Sequence, residues 1–336
     1  MVRLLTNRLG GVVVGKRRLR RILVACAALA LLLLAVALWP APAPVGHWRS
    51  AEGHAEFVRA YEAAMADLPR PDAALDVRTD YGVVRVYRFE GSGEHTSPMV
   101  LLPGRASASP VWADNLPALL EVADVYTVDL LGEPGMSAQE RPVGNDADQA
   151  RWLHQALGGL PEDRFHLVGL SIGGWTAANL ALREPSRVAS LTLVDPVFVF
   201  DDMPLGTVLR SIPASVPWLP RSWRDGFNSW TAGGAPVEDT PVARMIESGM
   251  RNYALRLPQP TRIPEEELAG LDLPVLALIA GRSVMHDPDT AAATAERALA
   301  RGTVRTYPRA SHALNGEYPA ELADDVAAFL DGEAGG

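Results

Sequence analysis

From about residue 75 onward, short apolar runs alternate with amphipathic stretches of helical period, and this beat restricts the fold more than any other feature. Met99–Leu102, Asp124–Val128, Phe165–Val168, Leu191–Val194, Val275–Ala280 and Val304–Tyr307 read as strands. Between and after them, Val111–Glu121, Asp146–Leu157, Gly173–Arg183, Thr290–Ala300 and Pro319–Leu330 read as helices. Apolar strands joined by helical crossovers imply an α/β fold, with a mostly parallel sheet covered on both faces. Two further runs, Leu75–Thr79 and Val83–Phe89, flank a Tyr81-Gly82 turn and form an antiparallel start, for eight strands in all. Ahead of them, Phe57, Tyr61, Ala64, Met65 and Leu68 recur at three and four and predict a helix over Ala51–Leu68. The beat lapses from Val197 to Leu273, a stretch rich in proline and tryptophan (Trp218, Trp223, Trp230). The expected organisation is therefore a core over 51–196 and 274–332, with a helical cap inserted over 197–273.

The N-terminus has a different character. Residues 1–21 carry seven basic side chains and no acid, and residues 22–39 are uncharged and almost wholly apolar. Eighteen such residues reach about 27 Å as a helix, just enough to cross a bilayer. The expectation is a cytoplasmic basic segment with a transmembrane anchor over 1–39 and a Pro-rich spacer over 40–50. The positive-inside rule then places the rest outside the cytoplasm. The alternative is a cleaved signal and a secreted protein. Cys26 is the single cysteine, which excludes an internal disulfide and any cysteine-based metal site. The net charge of -9, with no later basic stripe, argues against a nucleic-acid partner.

Gly169-Leu170-Ser171-Ile172-Gly173-Gly174 follows a strand and opens a helix. A sharp turn between the two lifts a serine hydroxyl above the sheet, where a base can reach it. The tight backbone calls for nearly side-chain-free neighbours, and the helix start favours developing negative charge. Ser171 is the candidate nucleophile.

Four patterns in order carry a resemblance to the α/β-hydrolase superfamily over residues 75–330. They are Leu101-Leu102-Pro103-Gly104-Arg105, Asp129-Leu130-Leu131-Gly132-Glu133-Pro134-Gly135-Met136-Ser137, the serine turn, and Ala310-Ser311-His312-Ala313. The resemblance implies an eight-stranded α/β-hydrolase sheet and a Ser–His–acid triad. His312, in a small-residue loop after the last strand, is the expected general base. For the acid the resemblance points to the loop after Val275–Ala280, where Gly281-Arg282-Ser283-Val284 carries valine at the usual aspartate position. Asp287, a little later in that loop, is the first expectation and Asp195 the alternative. His286 is read as a surface residue. The backbone N–H groups of Arg105 and Ile172 are the expected oxyanion donors, and the Arg105 side chain is read as solvated.

The chemistry so implied is hydrolysis of a small or medium carboxylic ester through an acyl-enzyme on Ser171, with no cofactor and no metal. A catalytically silent binding protein of the same fold, or a peptidase, C–C hydrolase or perhydrolase, are the alternatives. Epoxide hydrolysis and dehalogenation are disfavoured, because both ordinarily place aspartate where Ser171 stands.

Overall fold

Strands buried on both faces must be largely apolar, and the central strands meet that demand, Val275–Ala280 at every position. The computed structural model describes residues 43–334 apart from residue 94, together with Arg21 and Val24. The main strands are β1 (Ala73–Thr79), β2 (Gly82–Phe89), β3 (His95–Leu102), β4 (Ala123–Val128), β5 (Phe165–Leu170), β6 (Val188–Val194), β7 (Val275–Ala280) and β8 (Gly302–Tyr307). They lie in the order 1-2-4-3-5-6-7-8. β2 runs antiparallel to β1 and β4, and the remaining neighbours are parallel. A two-residue strand, Ala138–Gln139, adds to β2. β7 is buried at all six positions, whereas the edge strands β1 and β8 are partly exposed.

The helices are α1 (Ala51–Met65), α2 (Leu116–Leu120), α3 (Asp146–Gly158), α4 (Ile172–Arg183), α5 (Leu205–Ala214), α6 (Arg221–Thr231), α7 (Pro241–Asn252), α8 (Glu265–Leu268), α9 (Pro288–Ala298), α10 (Leu314–Glu317) and α11 (Pro319–Ala334). Successive residues of a strand point to opposite faces, and this splits the core in two. Val275, Ala277 and Ile279 of β7 join the side covered by α3, α4 and α9. Leu276 and Leu278 join the side covered by α1 and α11, with Phe57, Tyr61, Leu322 and Phe329.

The stretch expected as one helix over Val111–Glu121 is instead a 3-10 turn, Ser109–Trp112, followed by α2. Pro110 and Pro117 explain the break, because a residue without an N–H is accommodated in the first turn of a helix and not within it. The expected anchor over 1–39 falls outside the described residues except for Arg21 and Val24. No helix among the described residues is long and apolar enough to cross a membrane.

Between β6 and β7, helices α5 to α7 form the cap. Arg224 of α6 is buried and pairs with Glu247 of α7 through bonds of 2.7–3.0 Å. The chain ahead of α1 grips the far end of the cap. His47–Trp48 pairs antiparallel with Tyr253–Ala254, just past α7, and Arg49 N–H donates to the Asn252 carbonyl at 2.8 Å. Trp48 stacks on His54 and meets the edge of Tyr253. Gly53 of α1 lies so close to α7 that a Cβ there would come within 2.9 Å of Asn252.

Candidate active site

Ser171 sits between the last residue of β5 and the first of α4. Its backbone is at φ 55°, ψ -116°, a conformation L-residues adopt only under strain. The neighbours of this turn have no room for side chains. A Cβ on Gly173 would lie 2.1 Å from the Leu102 carbonyl oxygen, and one on Gly169 would lie 2.4 Å from that of Gly173. The turn is tied to the next strand, since Ser171 N–H donates to the Val194 carbonyl at 2.9 Å.

His312 lies in the loop between β8 and α10. Its Nε2 is 2.9 Å from Ser171 Oγ, and its Nδ1 is 2.5 Å from Asp195 Oδ2. Glu317 steadies the loop by accepting both the N–H and the hydroxyl of Ser311, at 2.8 and 2.6 Å. The His312 N–H donates to the Thr231 carbonyl of α6, so the cap touches the histidine loop directly.

Asp195 follows the last residue of β6 and is wholly buried, with its own backbone at φ 42°. Donors meet both of its oxygens. Oδ1 accepts from the Ala280 N–H at 2.9 Å and has His286 Nε2 at 3.1 Å; Oδ2 accepts from the Ser283 hydroxyl at 2.7 Å and from His312. Burial alone would raise the carboxyl pKa. The close contacts and positive charges of His286 and His312 outweigh it and hold the group well below the usual carboxylate range.

The structure therefore brings Ser171 and His312 together and completes the set with Asp195, not Asp287. Asp287 is exposed and caps α9, where its carboxylate accepts the Thr290 N–H at 2.9 Å. That helix-capping bond holds its pKa down. The reason for the correction lies in strand order. β6 lies directly beside β5, so its C-terminal end opens next to Ser171, whereas the loop after β7 has already turned into α9 at Asp287-Pro288.

The Gly104-Arg105 loop passes against Ser171, and a Cβ at Gly104 would stand 3.6 Å from that of Ser171. Ile172 is the first residue of α4, so its N–H has no carbonyl within the helix. The Arg105 side chain is not simply solvated. It pairs at 2.8 Å with Glu133, which is 2% exposed and also accepts the Ala106 N–H at 3.1 Å. Burial pushes the Glu133 pKa up against the pull of Arg105. Asp129, also buried, accepts from the Ser109 N–H and hydroxyl, the Met136 N–H and the Tyr61 hydroxyl, and so fastens the adjoining turns together.

Above Ser171 and His312 opens a cavity of about 360 Å³. Val111 lines it from the core and Phe227, Val237, Ala243 and Ile246 line it from the cap. No group of three or more His, Cys, Asp or Glu among the described residues could hold a metal ion.

Of the residues around the site, sequence reasoning passed over Ser283, Glu133 and the burial of His286. Glu133 stands inside a quoted motif, and Ser283 sits immediately before the position where aspartate is missing. Those were the signals available.

Residues 97–234 match the family model described as alpha/beta hydrolase fold. The chain is 24% identical over 286 residues to the uncharacterized carboxylesterase nap of Bacillus subtilis, covering 83% of this chain and 93% of that protein. It is 24% identical over 289 residues to the carboxylesterase YbfK of the same organism, covering 84% and 95%. The crystal structure of carboxylesterase CesB (YbfK) from Bacillus subtilis superposes with a TM-score of 0.77 at 23% sequence identity, over 84% of this chain and 99% of that one. The strand order, the strained serine turn, the family match and the structural likeness all agree that the chain has the α/β-hydrolase fold.

Proposed function

We propose that this chain is a serine carboxylesterase, held at a membrane by its N-terminal segment, with Ser171, His312 and Asp195 as its triad. The observation that carries the reading is the pair of contacts made by one imidazole, 2.9 Å to Ser171 Oγ and 2.5 Å to Asp195 Oδ2. Asp195 fixes the tautomer with Nδ1 protonated, which leaves Nε2 free to accept the serine proton. Ser171 Oγ then attacks the ester carbonyl. The N–H groups of Ile172 and Arg105 face the oxyanion, and Glu133 keeps the Arg105 loop in place. His312 returns the proton to the departing alcohol, and water repeats the sequence to release the acid.

The cavity suits an acyl or alcohol portion of small to medium size with apolar character. Two relatives named as carboxylesterases, each matched over more than four-fifths of this chain, support the ester assignment. The basic segment 1–21 and apolar run 22–39 support anchoring with the catalytic domain outside the cytoplasm.

Hydrolysis of short and medium p-nitrophenyl esters by the full chain, beside Ser171→Ala, tests the chemistry. Activity that survives in the variant overturns the nucleophile. A reporter fused after residue 336 tests the topology, and a signal confined to the cytoplasm overturns that part.

A further inference from the structure

His286 is one of the most deeply enclosed polar side chains of the site, at 2% exposure, and the proton transfers described above do not use it. Its Nε2 stands 3.1 Å from Asp195 Oδ1, an ion-pair separation without the alignment of a hydrogen bond, and neither ring nitrogen has an aligned partner. The other oxygen of the same carboxylate belongs to His312. One wholly buried aspartate is thus shared between two imidazoles, one that meets the nucleophile and one that never does. Buried polar atoms left unaligned cost stability, so an imidazole placed here calls for an account.

We propose that His286 is a positioning residue, which carries a positive charge against Asp195 and so limits how strongly that carboxylate stabilises protonated His312. The inference rests on the triad assigned above. The charged groups that face His286 are Asp195 from the end of β6, Asp201 from the chain that follows it, and the neighbouring Asp287. All three are acidic. Burial disfavours a charge on His286, but the Asp195 contact and the negative field of Asp195 and Asp201 outweigh it and raise its pKa. Ser283 completes the arrangement by donating to Asp195 Oδ2 beside His312. The loop after β7 therefore supplies a hydroxyl and an imidazole to a carboxylate that comes from β6.

A second cation on Asp195 makes protonation of His312 harder. Its removal should make that protonation easier, so that the base is lost at a higher pH. In His286→Gln, the acidic limb of the kcat/KM profile should move upward by about half to one pH unit, with kcat near the plateau falling only severalfold. A merely structural role would lower activity without moving the limb. An unmoved limb in the folded variant overturns the proposal.

Should His286→Gln fail to fold, NMR titration of the His286 ring in the full chain carrying Ser171→Ala decides the matter. A ring that stays protonated through pH 7 supports the proposal, and one neutral across pH 5–8 overturns it. That titration is independent of turnover. An absence of ester hydrolysis in the parent chain would count against the esterase reading alone.

Discussion

Replacing Asp195 by asparagine separates the two candidate acids. The side chain is fully buried, and the variant preserves its volume. Asn Oδ1 can still accept the Ala280 N–H, so the amide nitrogen must take the place of Oδ2. Asparagine there presents N–H groups to His312 Nδ1, where Asp195 presents an acceptor at 2.5 Å. The ring must then carry its proton on Nε2 and point a donor at Ser171 Oγ, which removes the base. Wrong-tautomer losses of this kind are about 10⁴-fold in kcat, close to 5.5 kcal/mol of barrier. Asp287→Asn offers the opposite case. Asparagine caps helices as well as aspartate does, the site is exposed, and the residue makes no contact with His312, so kcat should change less than about twofold. Parallel kcat measurements on the two variants, with circular dichroism to verify folding, provide the assay. A larger fall in Asp287→Asn, or equal falls in both, would refute the argument from strand order.

A fluorophosphonate probe should label Ser171 and lose its target in Ser171→Ala; labelling that persists would place the nucleophile elsewhere. Glu247→Ala leaves Arg224 buried without its carboxylate and should lower unfolding stability by about 3–5 kcal/mol, as read by urea denaturation. Gly173→Ala drives a Cβ against the Leu102 carbonyl and should abolish activity by dismantling the serine turn, which loss of probe labelling would report. Because the folded-state pKa of Asp195 lies below its unfolded value, its stabilising contribution is complete above about pH 4 and is lost as the pH falls further. The stability gap between the parent and Asp195→Asn should accordingly narrow as the pH falls from about 4 toward 2, and a gap that widens would contradict that sign.

The central strands were legible because a strand covered on both faces leaves a continuous apolar run, and Ser171 was legible because its turn needs glycine at fixed places. The acid was not. Asp195 and Asp287 each stand in a loop after a strand, and local sequence favours the second. The choice depends on β6 lying beside β5, a long-range pairing that no local pattern encodes. The same holds for His286, whose burial follows from the loop folding back over Asp195, and for Glu133, whose partner is 28 residues away. Prolines 110 and 117 were in plain view, yet the apolar period across Val111–Glu121 masked the break they impose.

The short pairing of His47–Trp48 with Tyr253–Ala254 has a mechanical consequence. It fastens the exit leg of the cap to the arm that leads into α1, and the entry leg from β6 into α5 is fastened as well, by the Ile263 N–H to the Phe198 carbonyl at 3.0 Å and by the Asp287 N–H to the Asp201 carboxylate at 3.0 Å. With both legs held, any widening of the cavity mouth falls to α6 and α7, which Arg224 and Glu247 bind into one unit. Since the His312 N–H is bonded to the Thr231 carbonyl on α6, a shift of that unit would pull on His312 itself. Access to the site and alignment of His312 are thus geared to the same pair of helices.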